Sequence, residues 1–232
     1  MKLAVMQPYF FPYIGYYQLV NAVDKFIIYD DVNYITAGWI NRNNILINKE
    51  KKYFTLNLSE ASQNKLINEI KVGKNKDKIL KTIKYNYSKA PFFKESFQII
   101  EEIFSAIKED SLISKIAGLS IIIISKYFNF NTDFEYSSEK YFDTKGMEKA
   151  ERLIEICKKN NAATYINAIG GRKLYRKEYF IKKGIELKFI KTNITKYKQY
   201  KNPFEPGLSI IDVMMFNSPE KIREMMNDYE LE

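Results

Sequence analysis

Residues Leu3–Asp31, LAVMQPYFFPYIGYYQLVNAVDKFIIYDD, decide the fold. A short apolar run, Leu3 to Met6, meets Pro8 and Pro12, which cannot donate to a central ladder, so the run is a strand that stops at Gln7. After Gly15 the period changes: Tyr16, Leu19, Val20 and Val23 recur at helical spacing. Asp24 closes that helix, and Phe26 to Tyr29 reads as a second buried strand ending in Asp30 and Asp31. Strand, helix, strand over so few residues implies a parallel pair, because a parallel crossover needs a helix or something of its length. In such sheets ligands bind beyond the carboxyl ends of the strands. The Gln7–Gly15 loop and the Asp30–Asp31 pair both fall there, and the site is expected at that edge.

Working outward, Asp31 is followed by VNYITAGWINRNNIL, an Asn-rich stretch read as an irregular connection carrying Trp39. Lys52 to Leu58 alternates like a strand, and Ile67 to Val72 is a short second one. Asn75 to Tyr87 turns helical, Phe92 to Ile107 carries a stripe of Phe93, Phe97, Ile100 and Phe104, and Ser111 is expected to cap a third helix through Tyr127. Thr132 to Tyr136 is a strand, Met147 to Asn160 an amphipathic helix after Gly146, and Ala163 to Ala168 a strand. A helix from Tyr175 to Lys183 stops at Gly184, Ile185 to Ile190 is another strand, and Leu208 to Phe216 and Pro219 to Met226 are helices. Strands alternating with helices predict an α/β fold with a doubly wound parallel sheet and an inserted or packed helical subdomain. The parts expected are an N-terminal α/β half at 1–74, the helical subdomain at 75–130, and a C-terminal half of the same core at 131–232.

The 232 residues are 46% apolar and 28% charged, an ordinary globular composition. The net charge of +9 reads either as a lysine-rich solvated surface or as preparation for an anionic partner. No Arg-rich arm or RNA-reading aromatic motif is present, so nucleic acid is not the expected partner. The chain has no histidine, which removes imidazole bases, His-containing triads and imidazole metal sites. Cys157, the one cysteine, excludes a disulfide framework, suits a reducing cytosol and reads as a core thiol. Ile116 to Phe128 is too short to span a bilayer, and the opening run lacks a cleavage site. The expectation is a cytoplasmic protein without a transmembrane segment.

Four constellations could carry chemistry. In Gln7 to Tyr16, a glycine immediately before a helix lets backbone approach a ligand, and the helix start offers free N–H groups to an anion; the bland alternative is a packed aromatic turn. The candidates are Gln7, Tyr13, Gly15 and Tyr16. The placement resembles the strand–loop–helix of nucleotidyltransferases, where His-x-Gly-His sits at this helix start. Here the matching residues are Tyr13-Ile14-Gly15-Tyr16, so nucleotide binding is retained while the cationic help for phosphoryl transfer is missing. The second constellation is Asp30-Asp31 with Asn41-Arg42-Asn43: paired carboxylates that could bind a hydroxyl, an amine or Mg²⁺, or act as base, against a loop cap paired with Arg42. The third is Gly170-Gly171-Arg172-Lys173 with Tyr175, an anion cradle at a second strand's carboxyl end. The fourth is PGLSIID, where Ser209 or a neighbour can cap a helix and Asp212 either makes a structural hydrogen bond or reaches the pocket as a base or an amine anchor. The reading requires Gly15 and Gly171 to face one cleft. Tyr34 or Trp39 would stack on a base or sugar.

These residues carry a resemblance. QPYFFPYIGYYQLVNAVDKFIIYDDVNY, GWINRNNIL, YINAIGGRKLY and PGLSIIDVMMFN, in this order, look like the WbqC-like family of bacterial surface-polysaccharide clusters. Met6 stands where many members have His, so a His there is not essential to what the fold does. The resemblance implies a transferase in O-antigen precursor synthesis, attaching an acyl or aminoacyl group such as glycyl to the amine of a nucleotide-linked aminodeoxy sugar. The alternatives are a non-catalytic nucleotide-sugar or carrier-protein binding module, or a degenerate nucleotidyltransferase. The partners expected are a nucleotide-activated sugar and an acyl or aminoacyl carrier. No metal ligands are assigned, and a nucleotide or Mg²⁺ is the cofactor such residues could accept. Asp30, Asp31 or Asp212 would take the proton from the attacking amine.

Overall fold

The opening stretch becomes strand β1 (Lys2–Met6), helix α1 (Ile14–Asn21) and strand β2 (Lys25–Ile28) in the computed structural model, which describes residues 1–200 and 203–232. The two strands pair in parallel, Leu3 opposite Lys25 through Met6 opposite Ile28. Next come β3 (Arg42–Ile47), β4 (Glu50–Thr55), β5 (Leu58–Ser59), β6 (Lys71–Val72) and the helices α2 (Lys76–Tyr87), α3 (Phe93–Ser105) and α4 (Ile113–Tyr127). The chain continues through β7 (Asp133–Tyr136), α5 (Ser137–Lys140), α6 (Lys149–Lys159), β8 (Thr164–Ala168), α7 (Lys177–Ile181) and β9 (Glu186–Thr192). It closes with α8 (Ile210–Phe216), α9 (Pro219–Met225) and β10 (Tyr229–Leu231).

The central sheet has the order β10-β9-β8-β1-β2-β7. Its neighbours are parallel except β10 on β9. The chain builds outward from β1 through β2 to β7, then returns to the other side of β1 for β8 and β9. The strand order therefore reverses between β1 and β8, which opens a crevice at their carboxyl ends. Both faces of the sheet are buried, as parallel sheets require. Successive β1 side chains point to opposite faces: Ala4 packs with Phe26 and Ile28 against α1 and α4, while Leu3 and Val5 pack with Ile27 under α6 and α7. Helices α2, α3, α4 and α8 share the larger core through Ile83, Phe97, Ile121 and Met214.

Several details differ from the expectations. The run expected as one strand, Ile67 to Val72, is a 3₁₀ turn over Ile67–Glu69 followed by β6, and α5 was not expected. The Asn-rich connection contains a strand, β3, which pairs with β4 as a hairpin from Arg42↔Thr55 to Ile47↔Glu50. Its turn residues, Asn48 and Lys49, take positive φ of 52° and 63°, the left-handed geometry that primed hairpin turns need and that Gly usually supplies. Ser111 does not cap α4: the N-cap is Leu112, without a side-chain bond, and the Ser111 hydroxyl accepts from the Lys108 N–H instead. The antiparallel edge strand β10 lies beyond the last predicted element. No helix among the described residues is long and apolar enough to cross a membrane.

Candidate functional site

A cavity of about 1170 Å³ opens where the strand order reverses. Met6 and Gln7 enter it from the end of β1, and Asn167 and Ala168 from the end of β8. Gly15 and Gly171 both line it, so the two glycine turns converge on one cleft. Its walls are aromatic: Tyr9, Tyr13, Tyr16, Tyr29, Tyr165, Tyr175 and Trp39.

The Gln7–Tyr16 loop is held from several directions. Phe11 lies in its middle with φ of 45° and is fully buried, a conformation that a bulky residue adopts only where its surroundings over-determine it. The surroundings are visible. The carbonyl of Phe11 accepts from Asn43 Nδ2 at 2.9 Å and from Ser209 Oγ at 2.7 Å, and its N–H donates to Ser120 Oγ at 3.3 Å. Phe10 N–H donates to the Trp39 carbonyl, and Ile210 N–H to the Pro12 carbonyl. The Asn-rich and Ser209 motifs thus act together, clamping the loop that leads to α1. Tyr16 helps from the helix side by donating to the Gln7 carbonyl at 2.8 Å. No side chain caps the start of α1, where Tyr13 is the N-cap. A Cβ on Gly15 would lie 2.3 Å from Thr192 Oγ1 and 2.5 Å from the Tyr13 ring. The glycine is therefore required by packing, not only by access. Gly171 is also closely approached, since a Cβ there would lie 2.8 Å from Asn167 Nδ2, but that amide is the end of a flexible side chain and can give way.

The three aspartates separate. Asp31 lines the cavity; its carboxylate accepts from Arg152 Nη2 at 2.6 Å and from the Ser137 hydroxyl. Asp30 is not in the cavity lining; it shares the Ser137 hydroxyl with Asp31 and holds the start of α5, accepting from Ser138 N–H at 3.1 Å and Ser138 Oγ at 2.9 Å. Burial raises its pKa, against the pull of those Ser138 bonds. Asp212 is off the cavity too. It lies fully buried in α8 and accepts from Tyr87 at 2.7 Å, Tyr197 at 2.8 Å and Gln199 at 2.9 Å. Burial again raises its pKa, and these hydrogen bonds hold it back. Asp212 thus does not reach the pocket; its partners are structural.

Of the other predicted residues, Gln7, Tyr13, Tyr16, Trp39, Gly170 and Tyr175 line the cavity. Tyr34 is instead buried beside it, donating to Asn41 Oδ1 at 2.9 Å, and Asn41 in turn donates to the Leu56 carbonyl. Arg42 bonds the Gly38 carbonyl at 3.0 Å and stacks over Tyr53, and it makes no pair with Asp30 or Asp31. Ser209 caps α8 through Ile211 N–H at 3.2 Å. Arg172 pairs with Glu232 at 2.6 Å, and Lys173 is exposed outside the lining. The cationic half of the expected cradle therefore faces elsewhere.

The cations that do line the cavity are Lys145, Lys149 and Arg152, which the sequence reading did not single out. Arg152 is buried on the apolar face of α6 beside Leu153, Ile156 and Cys157. Its position four residues before Ile156 put an arginine on the core side of a helix in a lysine-rich chain, and that was the available signal. Its guanidinium donates to Asp31, to Thr144 Oγ1 at 3.0 Å and to Tyr29 Oη at 3.3 Å, and lies 4.8 Å from the Tyr29 ring centroid. Against the three cations, Asp31 is the one carboxylate on the described wall. An aromatic cleft with three cations in its lining is suited to a planar or saccharide ligand carrying anionic groups.

A family model described as the WbqC-like protein family matches residues 7–224, and the chain belongs to that family. "Uncharacterized protein Rv1507c" of Mycobacterium tuberculosis is 28% identical to it over 220 residues, covering 93% of each chain. No solved structure matches.

Proposed function

Starting from membership of this family, we propose that the chain is a transferase of bacterial surface-polysaccharide (O-antigen) precursor synthesis. It binds a nucleotide-activated aminodeoxy sugar in the cleft and passes an acyl or aminoacyl group, such as glycyl, to the sugar's amine. The observation that carries the reading is the cavity itself: it lies where the strand order reverses, has tyrosine walls and presents three cations to one carboxylate. Tyr13, Tyr16 or Trp39 would stack on base or sugar. The amine nitrogen attacks the donor's carbonyl carbon, the C–N bond forms, and the bond to the donor's carrier breaks with its electron pair. The proton lost by the amine goes to Asp31, the carboxylate on that wall. An amine needs only modest base help, so a site without histidine is adequate.

The finer fold assignment belongs to the same proposal. Five parallel strands in the order β9-β8-β1-β2-β7, with α1 starting at the crevice, support a core like that of the nucleotidyltransferases. The run Tyr13-Ile14-Gly15-Tyr16 stands at the start of α1 without the imidazoles of that motif, so binding is proposed and nucleotidyl transfer is not. The free, buried Cys157 suits the cytoplasm as the place of reaction.

The test is purified protein with UDP- and dTDP-linked aminodeoxy sugars and a panel of acyl and aminoacyl donors, read by mass spectrometry. A new amide is expected; absence of both amide and saturable binding overturns the reading. A second reading, binding without turnover, is favoured by the engagement of Asp31 with Arg152 and Ser137. It predicts saturable binding, no amide, and an Asp31→Asn variant that binds as well as wild type.

A further inference from the structure

We infer that the cavity's anion seat is formed by Lys145, just before α6, with Lys149 and Arg152 in its first turn, and that it takes a diphosphate. The identity of the ligand rests on the nucleotide-sugar reading; the position of the seat does not. It differs from the place the sequence suggested, the Gly170–Lys173 turn, whose two cations lie outside the lining.

Three observations point there. First, charge: Lys145, Lys149 and Arg152 face Asp31 alone, which leaves an excess of two positive charges on the described wall. The glycine turns offer only uncharged N–H groups. Second, Arg152 is held in place before any ligand arrives. Asp31, Thr144 and Tyr29 each take one N–H. A guanidinium has five, so one on Nη1 and one on Nη2 are left over, and two N–H groups of a guanidinium can bond phosphate oxygens together. A cation fixed beforehand loses little freedom on binding. Third, neither Lys145 nor Lys149 makes an ion pair with a carboxylate among the described residues, whereas Arg172 is engaged by Glu232. Lys149 is also the first residue of α6, where the helix dipole disfavours a cation, so helix stability does not explain it. Lys149 and Arg152, three residues apart, share a face, and Lys145 adjoins the Thr144 that Arg152 bonds. Lys145 and Lys149 are exposed whereas Arg152 is buried, and three cations spread between surface and interior suit two linked phosphoryl groups better than one.

Calorimetric titration with pyrophosphate, UDP, uridine and a UDP-linked amino sugar tests this, on wild type and on Lys145→Ala/Lys149→Ala, Arg152→Lys and Arg172→Ala/Lys173→Ala. Lys145 and Lys149 are exposed, so their double variant should fold, and its unchanged melting temperature is checked first. Pyrophosphate and UDP are expected to bind wild type and uridine to bind far more weakly. The Lys145/Lys149 variant should lose about tenfold or more in affinity for UDP, with a flatter salt dependence. Arg152→Lys should weaken binding too, because lysine keeps the charge but not the fork. The Arg172/Lys173 variant should bind within twofold of wild type. Loss of affinity in that last variant, or none in the lysine variant, overturns the seat, as does failure of pyrophosphate and UDP to bind. If pyrophosphate depends on Lys145 and Lys149 but the amino sugar adds nothing to UDP, the seat stands and the nucleotide-sugar reading falls. If the amino sugar binds without that dependence, the reverse holds.

Discussion

Asp31 and Asp212 are both buried aspartates, and the fold uses them oppositely. Asp31 meets a cation, Arg152, on the wall of the cavity. Asp212 meets two hydroxyls and an amide inside packed structure, where it ties α8 to Tyr87 of α2 and to the Tyr197–Gln199 segment. Tyr87 extends the tie, accepting from Leu46 N–H at 2.9 Å. Burial and a dense set of hydrogen bonds are common to both. The difference lies in the partner: Arg152 has donors left over and lines the cavity, whereas Tyr87, Tyr197 and Gln199, the donors around Asp212, are not in its lining. Unused capacity beside open space separates a binding group from a strut.

The largest expected effect comes from breaking the ion pair. Arg152→Ala would leave a buried carboxylate without its cation, at a cost of about 3–5 kcal/mol. Thermal denaturation should show a fall of about 10 °C or more. Adding Asp31→Asn to that variant should return part of the loss; a double variant as unstable as the single would show that the pair is not what matters. Next, Asp212→Ala removes the acceptor for Tyr87, Tyr197 and Gln199, costing about 3 kcal/mol in urea denaturation. Its affinity for UDP should be unchanged below the melting transition, and a parallel loss of affinity would erase the distinction between strut and binding group.

Gly15→Ala ranks third. Its new Cβ would lie 2.3 Å from Thr192 Oγ1 and 2.5 Å from the Tyr13 ring, an overpacking that costs about 1–3 kcal/mol. Thr192→Ala in the same chain should recover part of that in denaturant titrations, and no recovery would place the strain at Tyr13. The smallest effect concerns pH. Burial raises the folded pKa of Asp212, so the folded chain binds its proton at higher pH than the unfolded chain does. Stability linked to this group is lost as pH rises through the folded value and present below the ordinary aspartate range. Wild type should therefore gain on Asp212→Asn as pH is lowered from 7 toward that range, read as the difference between their melting temperatures; a constant difference would mean that Asp212 does not titrate there.

The two aspartates also show what the sequence could reveal. The β1–α1–β2 unit was legible because its periods change cleanly at two prolines and a glycine, and the convergence of Gly15 and Gly171 followed from both lying past strand ends. The cap at Ser209 was readable as a cap. The β3–β4 hairpin was not, because Asn41, Asn43 and Asn44 are poor strand formers and the turn at Asn48-Lys49 lacks glycine. The side chains of Asn41 and Asn43 bond other segments: Asn41 donates to the Leu56 carbonyl, and Asn43 clamps the Phe11 carbonyl across 32 positions of sequence. Arg152 was hidden because a helix scanned for its apolar stripe does not reveal that an arginine lies inside it. Asp212 was overvalued because a carboxylate near a motif looks like chemistry until its three donors are seen. Cys157 behaves as its surroundings in α6 suggested, with burial pushing the thiol up to about 12.

The central claim, that the crevice between β1 and β8 is where a nucleotide-linked ligand sits, is tested most directly by backbone NMR of isotopically labelled protein titrated with a UDP-linked amino sugar. The amides of Gly15, Lys149, Gly170 and Gly171 should shift together and saturate at one stoichiometric point, while those of Tyr87, Tyr197 and Asp212 stay in place. Saturating shifts centred on the Asp212 network, with the two glycine turns unmoved, would contradict it.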